Sequence, residues 1–278
     1  MAKARKQLNY RILLLMGTVV VVLLGVFLAA TQLTSSLTPE EYIAKCDKAL
    51  KKDPVDWSGA MGNLNSAIRA TGDETFPGKL FLRGYQILSD QVKQDRSLSL
   101  ADRQQRQGAA MRMLDRALER NAKYCPALIK KMEFYYPRFA SNPKGYQPRI
   151  RDFITNMTTV LNSPEYQHNA KFYFQRGMAN WYLRRLAGTG RGKEYAEAAI
   201  VDFNQAVIKA SGDEATPEDK ENEIPYRLEL AKRYSDLGEE EKANAEYDKG
   251  IKANPTSASL YVGYSSYLRK QKKEAESL

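Results

Sequence analysis

One histidine, two cysteines and two tryptophans in 278 residues leave several chemistries without their raw material. His168 has no second histidine with which to share a metal ion, and Cys46 and Cys125 stand in different segments of the chain, too few for a zinc site or a disulfide framework. No serine or cysteine sits in a nucleophile motif. The one glycine-rich stretch, LAGTGRGK from Leu186 to Lys193, has Ala187 where a P-loop needs its first glycine. Glu194 then stands where Ser or Thr must follow the lysine. The stretch reads as a flexible insertion in a helical turn. Asn156-Met157-Thr158 fits the glycosylation pattern but falls inside a helical segment. No catalytic, cofactor-binding or metal-ligating residue is expected, and no enzyme.

What is present is material for a core and one long apolar run. The chain is 43% hydrophobic and 10% aromatic, with 17 tyrosines, well outside the composition of disordered chains. Ile12–Ala30 is about 19 residues without a charge, spanning roughly 28 Å as a helix, close to the hydrocarbon thickness of a bilayer. A cleavable signal would want small residues one and three before the cut, and Leu28 or Phe27 falls there instead. The run reads as an uncleaved transmembrane helix behind a basic flank (1–11) and ahead of a polar spacer (31–37). Lys3, Arg5, Lys6 and Arg11 precede it, whereas Thr31–Glu41 holds no Lys or Arg. That asymmetry keeps the N-terminus in the cytoplasm and puts the rest across the membrane, in the periplasm if the cell is Gram-negative. Of the net charge of +10, those four residues account for four, which leaves +6 for everything after them. So mild an excess permits an anionic partner without demanding one.

From Thr38 onward the pattern is helical. Thr38-Pro39-Glu40-Glu41 is a capping box with proline at the first helical position, and Ser163-Pro164-Glu165 and Thr216-Pro217-Glu218 repeat the grammar. Within Ile224–Ser257, Leu228, Leu230, Ala231, Tyr234 and Leu237 share one helical face. Gly238 breaks the run, Ala243, Tyr247 and Gly250 form a second stripe, and Asn254-Pro255 ends it. This stretch resembles the tetratricopeptide repeat (TPR), a helix-turn-helix unit of about 34 residues. The resemblance is carried by Leu230, Ala231, Tyr234, Gly238, Ala243, Tyr247, Gly250 and Pro255, and it departs at Arg227, where a large aromatic is usual.

The small-large-small stripe recurs upstream as Ala60, Leu64 and Ala67, as Ala110, Leu114 and Ala117, and as Ala199, Phe203 and Ala206. The expected architecture over 38–278 is therefore an all-α, TPR-like helical solenoid of about five repeats plus a partial sixth starting near Ala258. Tyr261, Tyr264 and Leu268 would share a face of that last helix. Insertions are expected near 90–104 and 186–195, and an acidic linker over Gly212–Glu223.

Such repeats imply a concave groove lined by first helices, used to hold peptides or partner helices. Transferring the family's groove-facing places selects Phe81, Tyr85, Ile129, Glu133 and Tyr136 in the earlier units. In the fourth unit it selects Phe174, Met178, Trp181 and Tyr182; then Leu228 and Lys232; and at the far end Arg269 and Lys270. Members that grip a chaperone's C-terminal carboxylate use Lys and Asn where this chain has Phe81, Ile129, Phe174 and Leu228, which argues against that activity. The preferred expectation is a membrane-tethered adaptor for a protein or peptide partner. The regulatory front part of a larger enzyme or complex is one alternative. A nucleic-acid-binding repeat is another; it would need Lys and Arg along one face, and Asp213–Glu223 and Glu239–Glu241 interrupt them.

Overall fold

The computed structural model describes residues 37–72 and 77–276, and the expected membrane segment lies outside them. Among the described residues the protein is all-α, and no helix is long and apolar enough to cross a membrane. The helices are α1 (Pro39–Leu50), α2 (Trp57–Ala70), α3 (Gly78–Gln94), α4 (Leu100–Arg120), α5 (Cys125–Ser141) and α6 (Gln147–Leu161). They continue with α7 (Ala170–Leu186), α8 (Gly188–Ser211), α9 (Pro217–Asp236), α10 (Glu240–Ala253) and α11 (Ala258–Glu276). The chain forms two compact units, with the boundary after Arg106, inside α4.

The first unit starts as its sequence dictates. Thr38 Oγ1 accepts from the Glu41 amide at 3.3 Å while Glu41 Oε2 accepts from the Thr38 amide at 2.8 Å. This reciprocal cap satisfies two orphan donors at the start of α1. Helix α1 packs on α2 and α2 on α3, burying Cys46, Ala49, Ala60, Leu64 and Ile87 in one core. The insertion expected near 90–104 is mostly helix, because α3 and α4 are long and only Asp95–Ser99 separates them. Arg103 ties that turn down. Its Nε donates to the Leu98 carbonyl at 3.1 Å, and its two terminal nitrogens donate to the carbonyls of Val92 at 3.0 Å and Asp95 at 3.1 Å. The Val92 and Asp95 carbonyls lie at the C-terminus of α3, where a helix otherwise leaves them unpaired. Arg103→Ala is therefore expected to speed tryptic cleavage after exposed Arg96 by about tenfold, the factor for a loss of about 1.4 kcal/mol of local stability. An unchanged time course of that cut on a gel would show that the turn is held by something else.

In the second unit each helix packs on its sequence neighbour: α5 on α6, α6 on α7, α7 on α8, α8 on α9, α9 on α10 and α10 on α11. The small-large-small stripes are what let them approach. Ala110, Leu114 and Ala117 are buried in α4, Ala199, Phe203 and Ala206 in α8, and Ala243, Tyr247 and Gly250 in α10. Gly250 shows why the third place must be small: a Cβ there would stand 2.8 Å from Leu260 Cδ2 and 2.9 Å from Arg227 Cδ. At the α9–α10 turn Gly238 has φ +75°, a left-handed conformation that costs a residue with a Cβ but not glycine. Asn254 ends α10 and Pro255 lies beyond it, exposed.

Several expectations are corrected. The glycine-rich run expected as a flexible insertion forms the first turns of α8, and Ala187 alone separates α7 from α8. Only Gly188, with φ +65°, leaves helical geometry there. The acidic linker is shorter than expected because α9 begins at Pro217 and runs through Pro225. Ser163–His168 is a turn and not a helix start; Asn169 caps α7 instead, its side-chain oxygen accepting from the Phe172 amide at 3.0 Å. In α11 the packed stripe is Leu260, Tyr264 and Tyr267, while Tyr261 and Leu268 are exposed.

Candidate functional site

The second unit's helices are locked by a series of buried charges. Arg227, the residue that departs from the repeat pattern, donates to Glu223 Oε1 at 2.9 Å and across to α10 at Glu246 Oε2, 2.8 Å away. Its stem lies over Gly250, so it fills by an ion pair the space an aromatic would fill by packing. Arg233 is held by Glu229 and by Asp236, and its guanidinium lies 4.7 Å from the Trp181 ring centroid. Burial pulls the Arg233 guanidinium down from its ordinary value, with Asp236 opposing. Arg184 lies 4.3 Å from the same ring.

On this scaffold the residues expected in the groove separate into three groups. Phe81 and Trp181 are core residues, at 2% and 3% exposure, and do not line an open groove: their helices turn those faces onto neighbours. Ile129, Tyr136 and Tyr182 pack half-buried on the core made by Leu128, Met132, Phe139 and Phe153. Burial pushes the Tyr136 and Tyr182 hydroxyls up, so both stay protonated. Phe174 and Met178 pack on the core centred on Phe203, Phe174 stacking on Tyr226 at 4.6 Å. Tyr85 is half-buried and Glu133 exposed, the latter paired with Lys130 at 2.7 Å.

The third group meets. Leu228, Lys232 and Lys270 line one open cleft of about 540 Å³ between α9 and α11. Arg269, exposed beside Lys270, donates to the Ser265 carbonyl at 3.3 Å and is not among the lining residues. The cleft's floor is apolar: Leu228, Gly263 and the rings of Tyr247 and Tyr267, whose centroids are 5.5 Å apart. A Cβ on Gly263 would stand 2.8 Å from Leu228 Cδ2, so glycine sets the close approach of α11 to α9. Burial raises both tyrosines from their ordinary value, and Tyr267 donates its hydroxyl proton to the Glu240 carbonyl at 3.3 Å. The rim carries both signs, with Lys232 and Lys270 against Glu229 and Asp236; Lys270 reaches Asp236 at 4.0 Å.

Glu229, Asp236, Gly263 and Tyr267 were not selected from the sequence. The spacing Leu260, Gly263, Tyr264, Tyr267 marks that face of α11 and is the signal that could have found two of them. Among the described residues no group of three His, Cys, Asp or Glu side chains is placed to hold a metal ion. An apolar floor with a mixed-charge rim can take up a side chain and pair with a backbone or charged group beside it.

Among the described residues these elements define an all-α protein of successive packed helices with an open cleft between α9 and α11. The sequence matches no family profile and no curated protein. Among solved structures it is similar to MamA, residues 41 to the end, from Desulfovibrio magneticus RS-1. That match has a TM-score of 0.45 and 14% identity, over 79% of this chain and 97% of that one. It is also similar to the C-terminal part of a TPR repeat-containing protein from Cytophaga hutchinsonii, with a TM-score of 0.37 and 14% identity over 86% and 92% of the two chains. A third likeness is to the assembly chaperone of RpL4, Acl4, with a TM-score of 0.35 and 17% identity over 81% of each.

Proposed function

We propose that this chain is a membrane-tethered adaptor that holds a segment of a partner protein in the α9–α11 cleft. The observation that carries the reading is the convergence of Leu228, Lys232 and Lys270 on one open cleft with a tyrosine floor. Exposed apolar surface next to aromatic rings is where interfaces draw their energy. The tether is Ile12–Ala30, with the N-terminus in the cytoplasm and the helical domain across the membrane, supported by the basic flank that precedes the run.

Two experiments test the two halves. A photo-crosslinking side chain placed at Lys232 in the full-length protein, expressed in its own cells, should capture a discrete protein partner. Leu228→Asp in the same background should lower that capture about tenfold, as loss of one apolar anchor does. Equal capture with and without Leu228→Asp would remove the cleft from the reading. A reporter active only outside the cytoplasm, fused after Leu278, should be active. Silence there, with activity from a cytoplasm-only reporter at the same place, would reverse the orientation.

A further inference from the structure

Helix α8 is the longest helix in the second unit, at 24 residues against 14 for α10. Aligned on their stripes, Ala199 in α8 matches Ala243 in α10, and α8 starts eight residues earlier relative to that point, about 12 Å of extra helix. This overhang lies beside the α9–α10 turn, since Gly188, Gly192 and Lys193 line one cleft with Leu237, Glu239 and Lys242. Between it, the end of α7 and that turn lies a second open cleft of about 770 Å³, and no residue that lines it also lines the α9–α11 cleft. Its floor is apolar, made by Ala196, Ile200, Val201 and Leu237. Val201 is 59% exposed. Ile208, seven residues on and so on the same face of α8, is 57% exposed and carries the apolar stripe further along the helix.

The rim is charged in one direction. Lys193 is balanced by Glu197 at 3.8 Å and Lys242 by Glu239 at 2.8 Å. Arg184 and Arg185 have no carboxylate within ion-pair distance among the described residues, so two cations remain in excess beside the floor. The Arg184 guanidinium lies over the Trp181 ring, 4.3 Å from its centroid, a contact that lowers the entropy it would lose on pairing with an incoming anion.

We propose that this cleft is a second docking site, for an acidic peptide segment with an apolar stripe. Its apolar side chains would lie on Ile200, Val201 and Leu237, and its carboxylates would pair with Arg184 and Arg185. Charge complementarity chooses the sign of the occupant, and the length of the stripe from Val201 to Ile208, about 10 Å, suits an extended or helical segment over a small molecule. The concavity favours a peptide over a bilayer surface, which would need these groups on a protruding face. The site does not depend on the α9–α11 cleft being occupied.

The test is a random peptide library selected on the full-length protein in detergent and counter-selected on a Val201→Asp variant. Val201 and Arg185 are both exposed, so their substitution leaves the core in place, which circular dichroism checks. The expected result is enrichment of peptides with net negative charge and spaced apolar residues. Their affinity should fall about tenfold in Val201→Asp or Arg185→Glu, weaken with added salt, and stay unchanged in Lys232→Glu. No enrichment over the counter-selection, enrichment of basic or uncharged peptides, or loss of binding in Lys232→Glu alone would each overturn the proposal. So would displacement of the peptides by monomeric dihexanoylphosphatidylserine, which would reassign the cleft to a lipid headgroup.

Discussion

Phe203→Ala should destabilise the second unit by about 3–5 kcal/mol, measured as a shift in the urea unfolding curve followed by circular dichroism. The ring has no solvent exposure and sits between α7 and α9, where it meets Phe174 at 5.6 Å. It also covers Gly177 so closely that a Cβ there would stand 3.0 Å from two ring atoms and 3.2 Å from the Ala199 carbonyl. The ring cannot be shortened without leaving a cavity, because α7 is already held at glycine contact distance from it. A smaller effect is expected on the other side of the same contact: Gly177→Val overpacks it and costs about 1–3 kcal/mol. The two substitutions should not add. With Phe203 gone the valine has room, so the double variant should be more stable than the sum of the single losses predicts. Strict additivity, or a Phe203→Ala loss below about 1 kcal/mol, would mean that the contact is not as tight as the geometry states.

The burial of Phe203 was legible in the sequence because its stripe is periodic, whereas its contact with Gly177, 26 residues away, was not. Ala199, Phe203 and Ala206 repeat a spacing seen in three other places, and periodic burial needs no knowledge of distant residues. The caps at Thr38 and Thr216 were legible for the same reason, since a side chain and the amide three residues on close the motif. Prolines misled. Pro225 and Pro137 both lie inside helices, and in each case the proline and the residue four before it, Glu221 or Glu133, are exposed. Both residues of each missing hydrogen bond are thus on the exposed side of the helix, which lowers the cost of an interior proline. The glycine-rich run misled: α8 holds its glycine-rich start because Ala196 and Ala199 behind it are anchored in the core. Ser163-Pro164-Glu165 has the grammar of a helix start without an apolar run behind it, and closes as one turn with the Tyr166 amide on the Ser163 carbonyl at 3.0 Å. The site was legible only in part. Leu228 and Lys232 follow from repeat register, but Arg227 is explained by Glu246, 19 residues away, and the acidic half of the cleft's rim by how α9 faces α11. Those are tertiary facts that no local window contains.

Arg176→Met is expected to cost about 3–5 kcal/mol at neutral pH, comparable to the loss of Phe203 although no apolar core is removed. The guanidinium binds both oxygens of Asp202, at 2.6 Å and 3.0 Å for the shortest contacts, and also donates to Thr158 Oγ1 at 3.1 Å, which ties α7 to α6 and α8. Asp202 is buried, and Asn180 is its other partner at 3.2 Å. Burial pushes the Asp202 carboxyl above its ordinary value, against the opposing influence of Arg176 and Asn180. A carboxyl raised in the folded state binds its proton better folded than unfolded, so its ionised form costs stability above the folded pKa and that cost fades as pH falls through it. Removing Arg176 takes away the main influence holding the pKa down and moves the group further up. The Arg176→Met variant should therefore recover part of its loss between pH 7 and about pH 5, read as a rise in its stability relative to the parent at each pH. Asp202→Asn, which leaves no charge to titrate, should cost less at pH 7 and show no such recovery. The paired variant Arg176→Met with Asp202→Leu should be more stable than Arg176→Met alone, since it is the stranded carboxylate and not the missing ion pair that dominates the loss. If the paired variant is the less stable of the two, the pair contributes net stability to the packing of α7 on α8, and the account of a stranded charge fails.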